Sequence, residues 1–159
     1  MLTREELGFL ARAIELSREG MSSGRGGPFG CVIVKNGEVV GEGNNRVTST
    51  NDPTAHAEVV AIREACSKLG QYQLQDCDIY TSCEPCPMCL GAIYWARPRK
   101  VVYANTREQA AAIEFDDDLI YREINAPMGE RKIPFIHQPH ADAEKVFAEW
   151  MAWEEKKKY

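Results

Sequence analysis

The stretch Asp78-Ile79-Tyr80-Thr81-Ser82-Cys83-Glu84-Pro85-Cys86-Pro87-Met88-Cys89-Leu90-Gly91-Ala92-Ile93-Tyr94-Trp95-Ala96-Arg97-Pro98-Arg99-Lys100-Val101-Val102-Tyr103-Ala104-Asn105 decides the fold. Asp78 to Ser82 reads as a short strand, Pro85 to Ala96 as a largely apolar helix closed by Arg97-Pro98, and Lys100 to Asn105 as a second strand. Strand, helix and strand in so short a span suggest a parallel βαβ unit.

Upstream, Phe29 to Val34 is a largely apolar strand, and Asn36-Gly37 signals a tight primed turn into Glu38 to Gly43. An antiparallel hairpin beside a parallel unit makes a mixed sheet. Two further helices cover it. The first follows the capping box Thr3-x-x-Glu6, with Leu7, Leu10, Ala11 and Ile14 at helical spacing until Gly20. The second is expected to start at Asp52-Pro53, after a polar loop from Asn44 to Asp52. It shows Ala55, Val59, Ile62, Cys66 and Leu69 on one face and stops at Gly70. These elements predict an α/β protein, a three-layer α/β/α sandwich around a mixed five-stranded central sheet. Residues 107 to 140 are less regular, with a short helix, the segment Ile120 to Ile124 and a long loop. A terminal helix is expected from about Ala141 into Lys156-Lys157-Lys158.

The chain has 159 residues, 19 basic against 24 acidic side chains and a net charge of −5, so one domain with a real core is expected. With 44% hydrophobic and 27% charged residues it reads as an ordinary globule, not a disordered chain. The opening Met1-Leu2-Thr3-Arg4-Glu5-Glu6 lacks the apolar run of a signal peptide, and no stretch has the roughly 18 apolar residues of a membrane span. A cytoplasmic location and no membrane partner are therefore expected. A pI near 5.3 argues against nucleic acid as the main partner and suits a small neutral substrate.

Of six cysteines, Cys83, Cys86 and Cys89 fall within seven positions, which in a cytosolic chain suggests metal or catalytic chemistry. His56-x-Glu58 opens one helix and Pro85-Cys86-x-x-Cys89 the next. A catalytic zinc ion takes three protein ligands and leaves one position open, and His56, Cys86 and Cys89 supply such a set. Cys86 and Cys89 are adjacent on the helix surface, and the helix N-terminus helps keep thiols ionised. Zinc lowers the pKa of water at the open position toward roughly 7. Glu58, not itself a ligand, is the candidate proton carrier. Two helical residues subtend about 200°, so His56 and Glu58 converge only if that helix points its N-terminal end at the pocket. Other readings stay open. His56 and Glu58 can be mere surface, Cys86-x-x-Cys89 a redox pair, or Cys83 the fourth ligand of a closed structural zinc site. An iron-sulfur cluster is disfavoured, because Cys89 is followed by Leu90-Gly91-Ala92-Ile93.

The paired motifs resemble those of the zinc-dependent nucleobase deaminases. Gly26-Gly27-Pro28-Phe29-Gly30, Asn51 to Glu58, Thr81 to Ala96, Phe115-Asp116-Asp117 and the Lys-rich end closing on Tyr159 extend the likeness. Within that family it is similar to the bacterial guanine deaminases over nearly the whole chain. The resemblance implies a cytidine-deaminase-like fold, one zinc ion per subunit and conversion of guanine to xanthine with release of ammonia. It further implies that Phe29 stacks on the purine, Asn45 bonds its ring edge and Trp95 helps wall the pocket. Asp117, counted with Glu58 as catalytic, and Tyr159 would also touch substrate. The implied homodimer swaps its C-terminal segment, about 141–159, into the partner's site.

Without the family, Phe29 and Trp95 read as packing, Asn45 as a turn residue and Asp116-Asp117-Asp118 as a solvated acidic run. Chemistry still singles out Asp117. Guanine offers N1-H and an exocyclic amine, both donors, to an acceptor-only carboxylate, whereas adenine's N1 is an acceptor. The rival enzyme is a tRNA adenosine deaminase or a deaminase of another small aminated base, and the rival of another class is a structural zinc-binding module.

Overall fold

The computed structural model describes residues 1–159. Helix α1 spans Arg4–Ser22, and its capping box is formed: Thr3 Oγ1 accepts from the Glu6 amide at 3.2 Å, and Glu6 Oε2 accepts from the Thr3 amide at 2.7 Å. Strands β1 (Gly30–Lys35) and β2 (Glu38–Asn44) make the expected hairpin. Its turn residues Asn36 and Gly37 both have positive φ, 52° and 79°, as a primed turn demands. Strand β3 (Cys77–Cys83) runs antiparallel to β1, and β4 (Lys100–Asn105) runs parallel to β3, joined by α4 (Pro87–Ala96). The mixed sheet has the order β2-β1-β3-β4.

It therefore holds four strands where five were expected. The segment Ile120 to Ile124 supplies no fifth: it lies in helix α6 (Asp118–Asn125). Leu119, Ile120 and Ile124 share one helical face there, and Asp118 pairs with Arg122 one turn on at 2.8 Å.

The sandwich is as predicted. Cys31, Ile33, Cys77 and Ile79 point to the face covered by α3 (Ala57–Leu69) and α4, and Val32, Val34 and Tyr80 point to the face covered by α1. Buried on both faces, β3 has no exposed residue. Helix faces differ from the periodicity reading. On α3 the fully buried stripe is Ala57, Ala61 and Ala65, with Ile62, Cys66 and Leu69 at its flank. A Cβ on Gly41 or Gly43 of β2 would meet the Ala61 or Ala57 carbonyl oxygen at 2.5 and 2.3 Å, so small residues on both elements let them touch. On α1, Ala13, Leu16, Ser17 and Gly20 are buried, while Leu7 and Ile14 stay exposed. Gly20 does not end that helix. It makes room for the Asn44 side chain, 2.8 Å from where its Cβ would stand.

Helix α3 starts at Ala57, not at Asp52-Pro53. The Asp52 carboxylate is committed to Thr54, accepting from its amide at 2.8 Å and its hydroxyl at 2.7 Å, and a short helix α2 (Val47–Thr50) fills the loop before it. Gly70 ends α3 in the left-handed conformation, as expected.

The chain divides into two compact units, Met1–Asp117 and Asp118–Tyr159. The first closes with helix α5 (Arg107–Ala111). The second contains α6, a single 3-10 turn (Met128–Glu130) and α7 (Ala141–Ala152), and none of its helical residues is buried. Helix α7 stops before the lysines that were expected to lie in it. Lys156 folds back instead, its Nζ donating to the carbonyls of Met151 and Trp153 at 2.7 and 3.1 Å. No helix is long and apolar enough to cross a membrane.

Candidate active site

Helices α3 and α4 bring their N-terminal ends together. His56 and Cys86 are the N-cap residues, each with extended backbone (ψ 155° and 168°), and neither uses its side chain to cap. His56 Nδ1 lies 3.5 Å from Cys86 Sγ and 3.5 Å from Cys89 Sγ, and the three ligand atoms are all within 4.8 Å of one another. Zinc bonds of about 2.1 Å to nitrogen and 2.3 Å to sulfur, set tetrahedrally, call for N···S separations of about 3.6 Å. The donor set and its spacing thus fit zinc. Cys83 stands outside the group, its Sγ 3.7 Å from the Thr106 carbonyl oxygen, so the closed four-ligand arrangement is not formed.

The start of α3 also resolves the angular conflict between His56 and Glu58. Because His56 precedes the helix in extended conformation, its ring is not bound to helical spacing, and Glu58 turns inward from the first turn. Glu58 is 6% exposed. Its Oε1 accepts from the Thr81 hydroxyl at 3.0 Å, and its Oε2 lies 3.3 Å from Cys89 Sγ. Burial pushes its pKa up, against the hydrogen bonds that favour the ion. Cys86 goes the other way. The hydrogen bond from Cys89, and then that of His56, bring its thiol down to about 4. Cys89 is pushed up, by Cys86 first and by burial next. The hydrogen bond with Cys86 raises the His56 pKa, against burial, which lowers it.

Other expected residues fall into two groups. Asn45 is buried, its Oδ1 accepting from the amides of Gly27 at 3.3 Å and Val47 at 3.1 Å, which leaves its Nδ2 to donate elsewhere. The Phe29 carbonyl accepts from the Asn45 amide at 3.0 Å. Its ring packs partly on the α3 and α4 side of the sheet and meets Phe115 edge-on, centroids 4.9 Å apart. Asp117 is raised by burial first and by the Cys86 charge second, and lowered by Arg107. That carboxylate therefore lies within electrostatic reach of the cluster. Trp95 near the end of α4 and Tyr159 in the second unit are by contrast 63% and 70% exposed. Sequence reasoning missed Thr81 and Phe115 as neighbours of these groups. A threonine in a strand carries no signal of what it bonds, and only the motif Phe115-Asp116-Asp117 drew attention to that segment.

Two helix starts delivering a His/Cys/Cys set beside a buried glutamate, on a mixed sheet in a three-layer sandwich, define a zinc-dependent deaminase. The chain belongs to the cytidine and deoxycytidylate deaminase family, whose zinc-binding region matches residues 3–105. It is 57% identical to a guanine deaminase of Bacillus subtilis over 151 residues, 95% of this chain and 97% of that one. It is 31% identical to a tRNA-specific adenosine deaminase of Aquifex aeolicus over 123 residues, 77% of this chain and 79% of the relative. The crystal structure of the Bacillus subtilis guanine deaminase superposes with a TM-score of 0.95 at 55% identity, covering 99% of both chains. A guanine deaminase from Nitrosomonas europaea gives a TM-score of 0.67 at 28% identity, over 93% of this chain and 74% of that one.

Proposed function

We propose that this protein hydrolyses guanine to xanthine and ammonia. The observation that carries this reading is the 57% identity to a guanine deaminase along 95% of the chain, second unit included. The test is incubation of the zinc-loaded protein with guanine, with adenine and with tRNA, following xanthine, hypoxanthine, inosine and ammonia. Xanthine from guanine alone is expected, and inosine in tRNA without xanthine would overturn the reading. The acidic surface, net charge −5, favours the small base over the polyanion.

His56, Cys86 and Cys89 hold the metal. When bound, zinc supplies a Lewis acid that makes water a competent nucleophile near neutral pH. Glu58 takes a proton from the attacking water as the C2–O bond forms and delivers it to the ring nitrogen; it then takes the proton of the new C2 hydroxyl and passes it to the exocyclic amine, so that the C2–N bond breaks, C2=O forms and ammonia departs. Its burial suits a group that must accept and return a proton, because desolvation lowers the penalty for the neutral form. Asp117 accepts from guanine N1-H and the exocyclic amine. Asn45, with its oxygen engaged by backbone, presents its Nδ2 to an acceptor on the purine edge, and Phe29 stacks on the ring. Trp95 helps wall the pocket, and the partner subunit's Tyr159 completes it.

The assembly we infer is one deaminase domain per chain, a cytoplasmic homodimer in which about 141–159 of each subunit closes its partner's site. Support comes from the second unit, which leaves Phe147, Met151 and Trp153 exposed on and beside α7, more apolar surface than a lone helix keeps in water. Complementation tests the exchange. Glu58→Gln mixed and refolded with a chain lacking Tyr159 regains turnover if the segment is swapped, because one site per mixed dimer then has both groups. No regain would exclude the swap.

A further inference from the structure

The Thr81 hydroxyl stands at the centre of β3, 1% exposed, and only two side chains bond Glu58: Cys89 of the metal cluster on Oε2, and Thr81 on Oε1. The same hydroxyl lies 3.3 Å from the Gly30 carbonyl oxygen, and the Gly30 amide donates to Ser82 Oγ at 3.0 Å. Gly30 itself is held tightly, since a Cβ there would stand 2.2 Å from the Ala13 carbonyl oxygen of α1. The hydroxyl has one hydrogen, and the shorter contact, 3.0 Å against 3.3 Å, directs it to Glu58 Oε1 from a strand held in a rigid three-layer contact. Glu58, by contrast, is a side chain with three rotatable bonds on the first turn of a helix.

We infer that Thr81 is a positioning residue for Glu58: its hydroxyl pins one carboxylate oxygen, Oε1, and so leaves the other, Oε2, as the oxygen that faces the His56–Cys86–Cys89 cluster. The inference rests on the proton-carrying role proposed above for Glu58. A carboxylate free to rotate presents either oxygen, at varying distance, to the reacting atoms. One held at Oε1 meets them in a single orientation. A misplacement of about 1 Å in such a group can cost roughly 100-fold in rate. Because Thr81 touches neither the cluster nor substrate in this scheme, its loss should act on the chemical step and not on guanine binding.

The experiment compares Thr81→Val, which keeps the shape and β-branching but removes the hydroxyl, with Thr81→Ser, which keeps the hydroxyl. For Thr81→Val, kcat is expected to fall about 10- to 100-fold, with KM for guanine within about twofold of the parent on the same grounds and zinc still at one per chain. Thr81→Ser should recover most of the rate, and adding Thr81→Val to Glu58→Gln should lower turnover no further. Parental kcat in Thr81→Val would overturn the inference. So would joint loss of zinc or of cooperative unfolding, which would make Thr81 a folding residue, or a full additional loss on the Glu58→Gln background. Two controls run in parallel. Absence of guanine turnover in the unaltered enzyme would sink the proposed reaction, and full activity of Glu58→Gln would sink the role of Glu58; in either case the positioning role falls with it.

Discussion

At the starts of α1 and α5, threonine N-caps close complete capping boxes, Thr3 with Glu6 and Thr106 with Gln109. At the starts of α3 and α4 the N-cap backbone is the same, with ψ of 155° and 168° against 166° and 167°, yet His56 and Cys86 form no capping bond. A side-chain cap contributes about 1 kcal/mol. Among these four helices, the two that forgo it are the two whose ends meet at the metal cluster. One backbone device thus serves stability at one pair of helix starts and chemistry at the other. In the second pair, the side chain that would have satisfied the helix points away from it to share a ligand position. The partial positive charge of the helix N-termini then acts on thiolates instead of on capping oxygens.

The sharpest break of this contrast is to give α4 the cap it lacks. Cys86→Ser places a good capping hydroxyl where a ligand stood. Turnover should vanish and zinc content fall well below one per chain, as read by metal analysis. With both proteins stripped of zinc, the variant should unfold at a higher temperature, by up to about 1 kcal/mol of added stability. Full zinc content with activity intact would show that Cys86 is not a ligand.

Next in size is Glu58→Gln, in the first turn of α3, two residues after the N-cap His56 but outside the donor set. Zinc should remain, and kcat should fall by about 100- to 10,000-fold, the usual contribution of a general acid and base. Zinc lost together with rate would move Glu58 into the ligand set.

The metal cluster was legible because its signal is local: His-x-Glu and Cys-x-x-Cys carry their spacing in the chain. The same holds for β4, found at Lys100–Asn105 as read, and for the Asn36-Gly37 turn, whose chemistry fixes its conformation. What failed to show has physical causes. Asp52 presents the same capping signal as a true helix start, but its oxygen is taken by Thr54 two residues on, so the start of α3 moved to Ala57. The buried stripes of α1 and α3 are built on alanine, serine and glycine, which hardly register as hydrophobic, and their role depends on glycines in distant strands. Ile120 to Ile124 has a composition that suits strand or helix, and too few residues to tell the period. Lys156 reads as helical charge, yet it serves the last carbonyls of α7 from beyond the helix. Thr81 had no signature at all, since its partner lies 23 residues away.

Asp117 belongs to none of these four helix starts, standing just before α6, and it separates binding from chemistry. Loss of a hydrogen bond to a charged group costs about 1.5–3 kcal/mol, so Asp117→Asn should raise KM for guanine roughly 10- to 150-fold, with zinc unchanged. The ionised carboxylate is the form that accepts from guanine. Burial, and then the Cys86 charge, raise its pKa above the ordinary aspartate value, so protonation begins at higher pH than for an exposed aspartate. KM should therefore climb as pH falls through that raised value, and the Asp117→Asn enzyme should lack this acid limb. An acid limb in KM that survives the substitution would assign the titration to another group.

The smallest effect belongs to the capped end. Thr3→Ala removes the hydroxyl that accepts from the Glu6 amide and loosens the return bond from Glu6 to the Thr3 amide. The expected cost is about 1 kcal/mol, equivalent to a drop of roughly 2–4 °C in Tm for a chain of this size. Glu6 also pairs with Lys100, and that bond first, with Thr3 second, holds its carboxyl at about 2. Its folded pKa is depressed, so the stability it contributes is present above the ordinary glutamate value and is lost as pH falls toward 2. Removing Thr3 takes away the weaker of the two supports. The Tm difference between Thr3→Ala and the parent should accordingly shrink as Glu6 is protonated in both. Zinc content and kcat should not move at all, because α1 covers the sheet face opposite α3 and α4. A fall in kcat at unchanged zinc would mean that the end of α1 reaches the site, and the division between helix starts that stabilise and helix starts that ligate would be lost.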